Sequence, residues 1–154
     1  MTTAAPPHSS ARVRPVERAD LLAVHRIEQE SFPQPWPFTA FEQFLDEPGF
    51  LVAEDDAVVG FVVANAVDHH GQHLGHIKDL AVRNERRGEG IGSLLLARAL
   101  GILDRSGIRT TKLEVREGND PAISLYRSHG FEHRRTVPGY YDDGEDALVF
   151  FRSL

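Results

Sequence analysis

A run of glycines between a strand pattern and a helix pattern constrains this chain more than any other feature. Residues 87–92 read Arg-Gly-Glu-Gly-Ile-Gly; they follow an apolar strand pattern over residues 74–82 and precede a helix pattern over residues 93–103. Glycine permits backbone angles and close approaches that other residues do not, and the amides of a helix N-terminus bind anions. The pattern predicts that this turn cradles a phosphate group, and an ordinary surface turn is the alternative.

Two well-known phosphate-binding sequences do not match this turn. The Gly-Lys-Ser/Thr ending of a nucleotide-binding P-loop is absent. The strand before the glycines comes late in the chain, and no acidic residue ends the next strand to hold a ribose. The sequence therefore indicates neither a P-loop nucleotidase nor a dinucleotide-binding domain.

Apolar periodicity divides the rest of the chain into short elements. Thr39 with Glu42 is typical of a capping box, while Asp120 before Pro121 is typical of an N-cap and a first helical turn. A third helix pattern begins near Leu21. Strand patterns cover residues 12–16, 50–54, 58–67, 109–116, 131–137 and 145–152, with a hairpin loop over 68–73. The order predicts one α/β domain with a mixed, mainly antiparallel sheet flanked by helices.

Composition narrows the classes of protein. The chain has 154 residues and no cysteine, which excludes disulfides, thiolate metal sites and a cysteine nucleophile. A net charge of −6 disfavours a nucleic-acid surface. No signal-peptide or membrane-spanning pattern occurs, so we expect a cytoplasmic protein without membrane association, and a monomer. Residues 1–11 are predicted to form a disordered tail, and residues 12–154 the domain.

Histidines cluster around the predicted hairpin. The four are His69, His70, His73 and His76. Histidine is a common metal ligand, but no carboxylate joins these four at a clear ligand spacing. We predict that they are solvated side chains and that the protein holds no metal.

A second block of the sequence carries candidate acid–base chemistry. Glu114 lies in a strand pattern on the face opposite Leu113 and Val115, and Tyr126 lies one helix later. A carboxylate and a phenol in one cleft can serve as base and acid. Taken alone, Glu114 is better explained as a solvated strand residue and Tyr126 as a residue of an amphipathic helix.

Taken together, these blocks resemble the GNAT superfamily of acetyltransferases. Arg-x-x-Gly-x-Gly followed by Leu-Leu-Leu resembles its acetyl-CoA motif, and Leu-Glu-Val-Arg, Asn119, Ala-Ile-x-Leu-Tyr and Gly-Phe are similar to the second block of RimI-type enzymes. The C-terminal Gly-Tyr-Tyr and Glu-Asp-Ala-Leu also match. The resemblance implies a GNAT-like fold and acetyl-CoA as co-substrate.

The resemblance also implies roles for individual residues. Glu114 would be the general base, acting through water, and Tyr126 would protonate the leaving thiolate. Trp36, Tyr140 and Tyr141 would line the acceptor groove. Acetyl-CoA would be held by Leu80, Ala81, Val82, Arg87, Gly88, Glu89, Gly90, Ile91, Gly92, Ser93 and Asn119.

An α-amine at a protein N-terminus fits this machinery. Its pKa of about 7.7–8.0, against about 10.4 for lysine, leaves about a tenth of it as free amine at neutral pH. The resemblance therefore favours an N-acetyltransferase for protein N-termini, a ribosomal protein among them. A GNAT enzyme for a small-molecule amine or an internal lysine, and a non-catalytic acetyl-CoA-binding regulatory module, are the alternatives.

Overall fold

The computed structural model describes residues 11–153. The predicted tail, residues 1–11, lies outside this range except for Ala11, and the domain limits remain a prediction. Short 3-10 turns occur at Arg18–Asp20 and Asn84–Arg86. The strands and helices are β1 (Arg12–Pro15), α1 (Leu21–Ser31), α2 (Phe38–Glu42), β2 (Gly49–Asp55), β3 (Ala57–His69), β4 (Gln72–Val82), α3 (Ile91–Arg105), β5 (Thr110–Arg116), α4 (Asp120–Ser128), β6 (Glu132–Val137) and β7 (Ala147–Ser153).

The strands confirm the predicted α/β fold with a mixed, mainly antiparallel sheet. Within the described residues they follow the order β1-β2-β3-β4-β5-β7-β6. The pairs β1–β2, β2–β3, β5–β7 and β6–β7 are antiparallel. The pair β4–β5 is parallel, with Gly75 opposite Thr111, His76 opposite Lys112 and Ile77 opposite Leu113. A parallel pair needs a crossover connection, and α3 lies in the segment that makes it.

The described residues divide into two compact units. The first unit comprises the described residues through Ala64 together with Asp79–Ile102. The second comprises Asn65–Lys78 and the described residues from Leu103 onward. No helix in the described part of the chain is both long and apolar enough to cross a membrane.

An aromatic cluster forms the core of the first unit. Phe41, which is fully buried, lies 5.1 Å from the ring of Trp36, 6.2 Å from Phe50 and 5.4 Å from Phe61 between centroids. The predicted stripe of α1 packs into this cluster through Leu21, Val24 and Ile27. Burial of one helical stripe is what places α1 against the strands.

In the second unit, β5 alternates as its sequence predicts. Thr111, Leu113 and Val115 are buried, while the residues between them are partly exposed. At the end of α4, the amide of Phe131 donates to the carbonyl of Tyr126, and that of Gly130 to the carbonyl of Arg127. This is the Schellman pattern, and Gly130 adopts the positive φ of 89° that it requires.

Local predictions of helix and loop limits are wrong at several points. No capping box opens α2, because the helix starts at Phe38 after Pro37 and Thr39 lies inside it. The cap of α4 is Asn119, whose Oδ1 accepts from the amide of Ala122, rather than Asp120. Helix α3 begins at Ile91, two residues before the predicted start. The hairpin loop is shorter than residues 68–73, because β3 continues to His69 and β4 starts at Gln72.

Candidate active site

The glycine turn of the first unit has the backbone conformation that its sequence predicts. Gly88 and Gly90 adopt φ angles of 82° and 86°. An added Cβ at either position meets no heavy atom of the described chain within 4 Å, so the conformation alone requires glycine. The amide of Leu94 donates to the carbonyl of Gly90 at 3.0 Å, which starts α3 directly after the turn. Ile91, Gly92 and Ser93 form the first turn of α3, where a helix offers amides to an anion.

The side chain of Arg87, directly before the two glycines, is held by two neutral acceptors. Its Nε donates to the carbonyl of Val82 at 3.1 Å, and one terminal nitrogen donates to Oγ of Ser31 at 3.3 Å. Both acceptors are uncharged, so these two hydrogen bonds do not offset the positive charge of the guanidinium. The residue stays exposed, which suits contact with an anion.

The end of β4 carries the residues predicted to hold the thioester arm. Ala81 is buried, whereas Leu80 and Val82 are partly exposed. The recorded parallel ladder to β5 ends at the pair Ile77–Leu113, and β4 continues beyond it to Val82. Backbone groups of a strand that have no neighbour in a ladder are open to bonds with a ligand.

Two carboxyl groups meet inside the first unit beside this strand end. Glu28 of α1 is 2% exposed, and its Oε2 accepts from the amide of Trp36 at 2.9 Å. Oδ1 of Asp79 accepts from the amide of Leu80 at 2.9 Å. Burial, followed by the hydrogen bond with Glu28 and the charge of Glu28, raises the pKa of Asp79 well above its usual range. A proton on Asp79 gives a partner to Oε1 of Glu28 and Oδ2 of Asp79, which otherwise have none.

The Trp36 ring packs against the aromatic core of the first unit. Its ring is half-buried and lies 5.7 Å from that of Phe44, besides its contact with Phe41. Its amide is the group held by Glu28. The structure thus places Trp36 firmly in the aromatic core of the first unit, and its role in an acceptor groove remains a prediction.

Glu114 is the centre of a charged cluster in the second unit. Its Oε1 lies 2.7 Å from Nε2 of His76, and its Oε2 lies 3.4 Å from Nζ of Lys112. The side chains of Glu114 and His76 are each 16% exposed. Burial acts to raise the pKa of Glu114, but the hydrogen bond with His76, together with the charge of Lys112, outweighs it and leaves that pKa below the ordinary value. Glu114 is therefore an ionised carboxylate at neutral pH.

Lys78 fixes the orientation of the histidine. Its Nζ lies 3.3 Å from Nδ1 of His76. A lysine ammonium has only donors, so Nδ1 must accept, and the ring hydrogen then resides on Nε2 and is donated to Glu114. The prediction that His76 is a solvated side chain is therefore wrong. The residue belongs to this charged cluster. No group of three or more potential ligands arranged for a metal ion occurs among residues 11–153.

The predicted acceptor-binding tyrosines share the electrostatic field of Glu114. Their rings lie 5.0 Å apart at 83°. Burial, then the charge of Tyr140, raises the pKa of Tyr141 to about 12, and Glu114 contributes to the same shift. Burial and then the charge of Glu114 raise the pKa of Tyr140. Both phenols are hydrogen-bond donors at neutral pH, and the second unit brings them together with the predicted base.

Arg116 holds the loop that carries these tyrosines. One of its terminal nitrogens lies 2.8 Å from Oδ2 of Asp143 and 2.9 Å from Oε1 of Glu145. Its guanidinium lies 4.1 Å from the centroid of the Tyr141 ring, a cation–π distance. Because Arg116 is two residues beyond Glu114 on β5, it fixes the β6–β7 loop relative to the predicted base.

The remaining predicted residues lie on α4. Tyr126 is 7% exposed, and its ring meets that of Phe131 edge-on at 5.9 Å. The side-chain oxygen of Asn119 caps the helix, and the side-chain amide nitrogen takes no part in this hydrogen bond. Both lie within the second unit; their roles toward a thiolate and a pantetheine arm remain predictions.

Polar residues at alternate positions of two strands are the sequence signal for this charged cluster. His76 and Lys78 alternate on one face of β4, as Lys112 and Glu114 do on β5. Polar residues on the same face of two strands indicate a shared surface only if the strands are neighbours. The parallel register between β4 and β5 supplies that condition.

Comparisons with known proteins agree with this geometry. The family described as Acetyltransferase (GNAT) family matches residues 21–131. The chain is 36% identical over 144 residues to an uncharacterised N-acetyltransferase of Methanocaldococcus jannaschii, covering 91% of this chain and 90% of that one. It is 32% identical over 156 residues to an N-alpha-acetyltransferase of Sulfurisphaera tokodaii, covering 93% of both. The crystal structure of the ribosomal-protein-S18-alanine N-acetyltransferase from Escherichia coli superposes with a TM-score of 0.80 at 27% identity, covering 93% of each chain.

Proposed function

This chain belongs to the GNAT family of acetyltransferases and is an N-acetyltransferase, and we propose that it transfers the acetyl group of acetyl-CoA to the α-amino group of protein N-termini. The names of the S. tokodaii and E. coli relatives support this acceptor. A ribosomal protein is one acceptor of this kind. The observation that carries the proposal is the placement of Glu114, which is held by His76 and Lys112 in the unit that also carries Tyr140 and Tyr141.

Glu114 is a carboxylate and therefore a weak base beside an amine, and its contacts with His76 and Lys112 do not strengthen it. A weak base best serves an amine that already loses its proton near neutral pH. An α-amine, with a pKa of about 7.7–8.0, meets this condition, whereas a lysine at about 10.4 is deprotonated a few hundredfold less often. The cluster therefore favours an N-terminal acceptor over an internal lysine.

The glycine turn suits the pyrophosphate of acetyl-CoA. The positive φ angles of Gly88 and Gly90, the start of α3 and the charge of Arg87 are the features that an anion requires. Backbone groups at Leu80 to Val82 would bind the pantetheine arm and the acetyl carbonyl. Acetyl-CoA supplies an activated acyl group whose thiol, with a pKa near that of free cysteine at about 8.5, leaves readily.

The reaction is then a direct transfer. The amine nitrogen attacks the thioester carbon, and a backbone amide near Val82 stabilises the oxyanion. A C–N bond forms as the C–S bond breaks. The proton of the amine passes through water to Glu114, and the leaving thiolate takes a proton from Tyr126. Tyr140 and Tyr141 donate hydrogen bonds to the backbone of the acceptor peptide.

The test uses peptides with matched amines. The purified protein is incubated with acetyl-CoA and either peptides with free N-termini or N-terminally blocked peptides with one lysine, and mass shifts and released CoA are measured. We expect acetylation of the free N-termini, with blocked peptides at least tenfold slower. Turnover of the blocked lysine peptide or of a small amine alone would overturn the proposal.

The Glu114→Gln variant links activity to the base. It keeps the shape of the side chain but cannot accept a proton, so we expect kcat to fall about 10²-fold or more while the Kd for CoA stays within about twofold. A variant with the wild-type kcat would show that Glu114 is not the base. Circular dichroism of the variant controls for folding.

A further inference from the structure

The glycine turn contains an acidic residue where an anion is proposed to bind. Glu89 stands between Gly88 and Gly90, the two residues whose backbone forms the turn. A free carboxylate at this position would repel the phosphates of a CoA molecule, since like charges a few ångströms apart destabilise each other. A turn that binds an anion therefore needs a cation to offset the charge of this carboxylate.

Arg86 takes up the carboxylate of Glu89. Its Nε lies 3.2 Å from Oε1 and 3.0 Å from Oε2, and a terminal nitrogen lies 3.0 Å from Oε1. The side chains of Arg86 and Glu89 are only 23% and 30% exposed. A guanidinium that engages both oxygens of a carboxylate in a partly buried place makes the strongest kind of charged hydrogen bond.

A second carboxylate keeps Arg86 in place. The same terminal nitrogen of Arg86 lies 2.8 Å from Oδ2 of Asp55, the last residue of β2. Asp55 and Ala57 face each other across the tight β2–β3 hairpin, which is fixed by the strand ladder. Arg86 is thus anchored to the sheet of the first unit and draws Glu89 toward that anchor.

The two neighbouring arginines have different partners. Arg86 is bound by two carboxylates, whereas Arg87 is hydrogen-bonded to the uncharged Val82 carbonyl and Ser31 hydroxyl. Among residues 11–153 no ion pair involves Arg87. Arg86 is therefore neutralised within the protein, and the charge of Arg87 remains for a ligand.

We propose that Arg86 is a positioning residue for CoA binding, which holds the Glu89 carboxylate toward Asp55 and offsets part of its charge, so that the glycine turn presents backbone amides and the Arg87 charge to the pyrophosphate. The inference rests on the proposed use of this turn for acetyl-CoA. Arg86 acts through Glu89 and does not itself contact the ligand.

The proposal makes a specific prediction for a double-variant cycle. Arg86→Met takes the guanidinium from both Asp55 and Glu89 and leaves the Glu89 charge, the one within the turn, without this partner beside the phosphates. We expect the Kd for CoA to rise about three- to tenfold, in the range of one partly buried charge interaction. Glu89→Gln removes the charge at its source and should bind CoA up to about twofold more tightly. In the Arg86→Met/Glu89→Gln double variant, the loss caused by Arg86→Met should disappear.

Isothermal titration calorimetry with CoA at low and high salt measures these constants. The penalty of Arg86→Met should shrink at high salt, because salt screens repulsion between charges. Arg83→Met is the matched control: Arg83 lies just before the turn and pairs with Glu85 instead of Glu89, so its removal should not change the Kd. Arg86→Gln, which keeps donors without a charge, replaces Arg86→Met should that variant not fold.

The outcomes separate the inference from the function on which it rests. Equal losses in Arg86→Met, Glu89→Gln and the double variant would show that the ion pair only shapes the loop, and would overturn the proposal. An unchanged Kd in Arg86→Met or Arg86→Gln would also overturn it. If the wild-type protein bound no CoA at all, the proposed function would fail instead.

Discussion

At the scale of single residues, His76 decides what Glu114 can do. A buried carboxylate ordinarily becomes harder to ionise, because burial removes its hydration. The hydrogen bond from Nε2 of His76 at 2.7 Å reverses this effect. Lys78, on the other side of the ring at 3.3 Å, keeps the imidazole in the tautomer that donates. The proposed base is therefore tuned by two residues that need not touch the substrate.

Removal of His76 should raise the pKa of Glu114. In His76→Ala the largest cause that lowers this pKa is lost and burial dominates, so the Glu114 carboxyl should titrate at a higher pH than in the wild type. A pH titration followed by the carboxyl ¹³C signals, with Glu114→Gln to assign the resonance, measures the shift. In His73→Ala, which removes an exposed histidine paired with Asp68, the titration should be unchanged. An unmoved Glu114 pKa in His76→Ala would contradict the tuning role.

At the scale of elements, a pair of carboxyl groups lies between the end of β4 and α1. Asp79 binds the Leu80 amide and Glu28 binds the Trp36 amide, and burial followed by the hydrogen bond with Glu28 raises the pKa of Asp79. Two adjacent carboxylates cannot both ionise in a buried place at low cost. The contact between the two carboxyls therefore depends on pH.

Asp79→Asn should make the protein more stable at neutral and alkaline pH. The folded-state pKa of Asp79 is raised, so its stabilising contribution is complete below the ordinary carboxyl pKa and is lost as the pH rises through the folded-state pKa. Asparagine donates to Glu28 as the protonated acid does, at every pH. The gain in free energy of unfolding should therefore grow as the pH rises above the ordinary carboxyl pKa, and it should level off above the folded-state pKa.

Urea denaturation at several pH values measures this gain. Asp46→Asn, at an exposed position, is the control and should unfold as the wild type does at each pH. Parallel stability–pH curves for Asp79→Asn and the wild type would show that the two carboxyls share no proton.

At the scale of the whole molecule, stability depends on large buried rings rather than on surface ion pairs. Phe41 joins α2 to β2 and β3 through Phe50 and Phe61 and also supports Trp36. An ion pair at an exposed site, such as that between Arg18 and Glu42, contributes little by comparison. The first unit is therefore most sensitive at its aromatic centre.

Phe41→Ala should lower the free energy of unfolding by about 3–5 kcal/mol, because it leaves a cavity where no neighbour is free to move in. Chemical denaturation followed by circular dichroism measures the loss. Phe38→Ala, which removes a half-buried ring that meets His25 edge-on at 5.9 Å, should cost clearly less. Equal losses at the two positions would contradict a core centred on Phe41.

The sequence by itself determined the features that depend on neighbouring residues. The positive φ of Gly88 and Gly90, the alternation of β5 and the glycine end of α4 are all set within a few residues, because backbone strain and side-chain periodicity are local. The order of the elements was enough to predict the fold class. Several motifs in the correct order were enough to predict the family. Helix starts were less certain, since both Asn119 and Asp120 are good caps and only the backbone path selects one.

The tertiary structure alone decided which charges meet. His76 and Glu114 lie 38 residues apart in the chain, and Arg86 and Asp55 lie 31 apart. The first contact follows from the register of strands and the second from the path of a loop. A shift of one residue in the β4–β5 register would turn the His76 side chain to the opposite face. Residue types alone therefore could not predict the lowered pKa of Glu114, the raised pKa of Asp79 or the ion pair of Glu89. Each depends on neighbours that folding brings close.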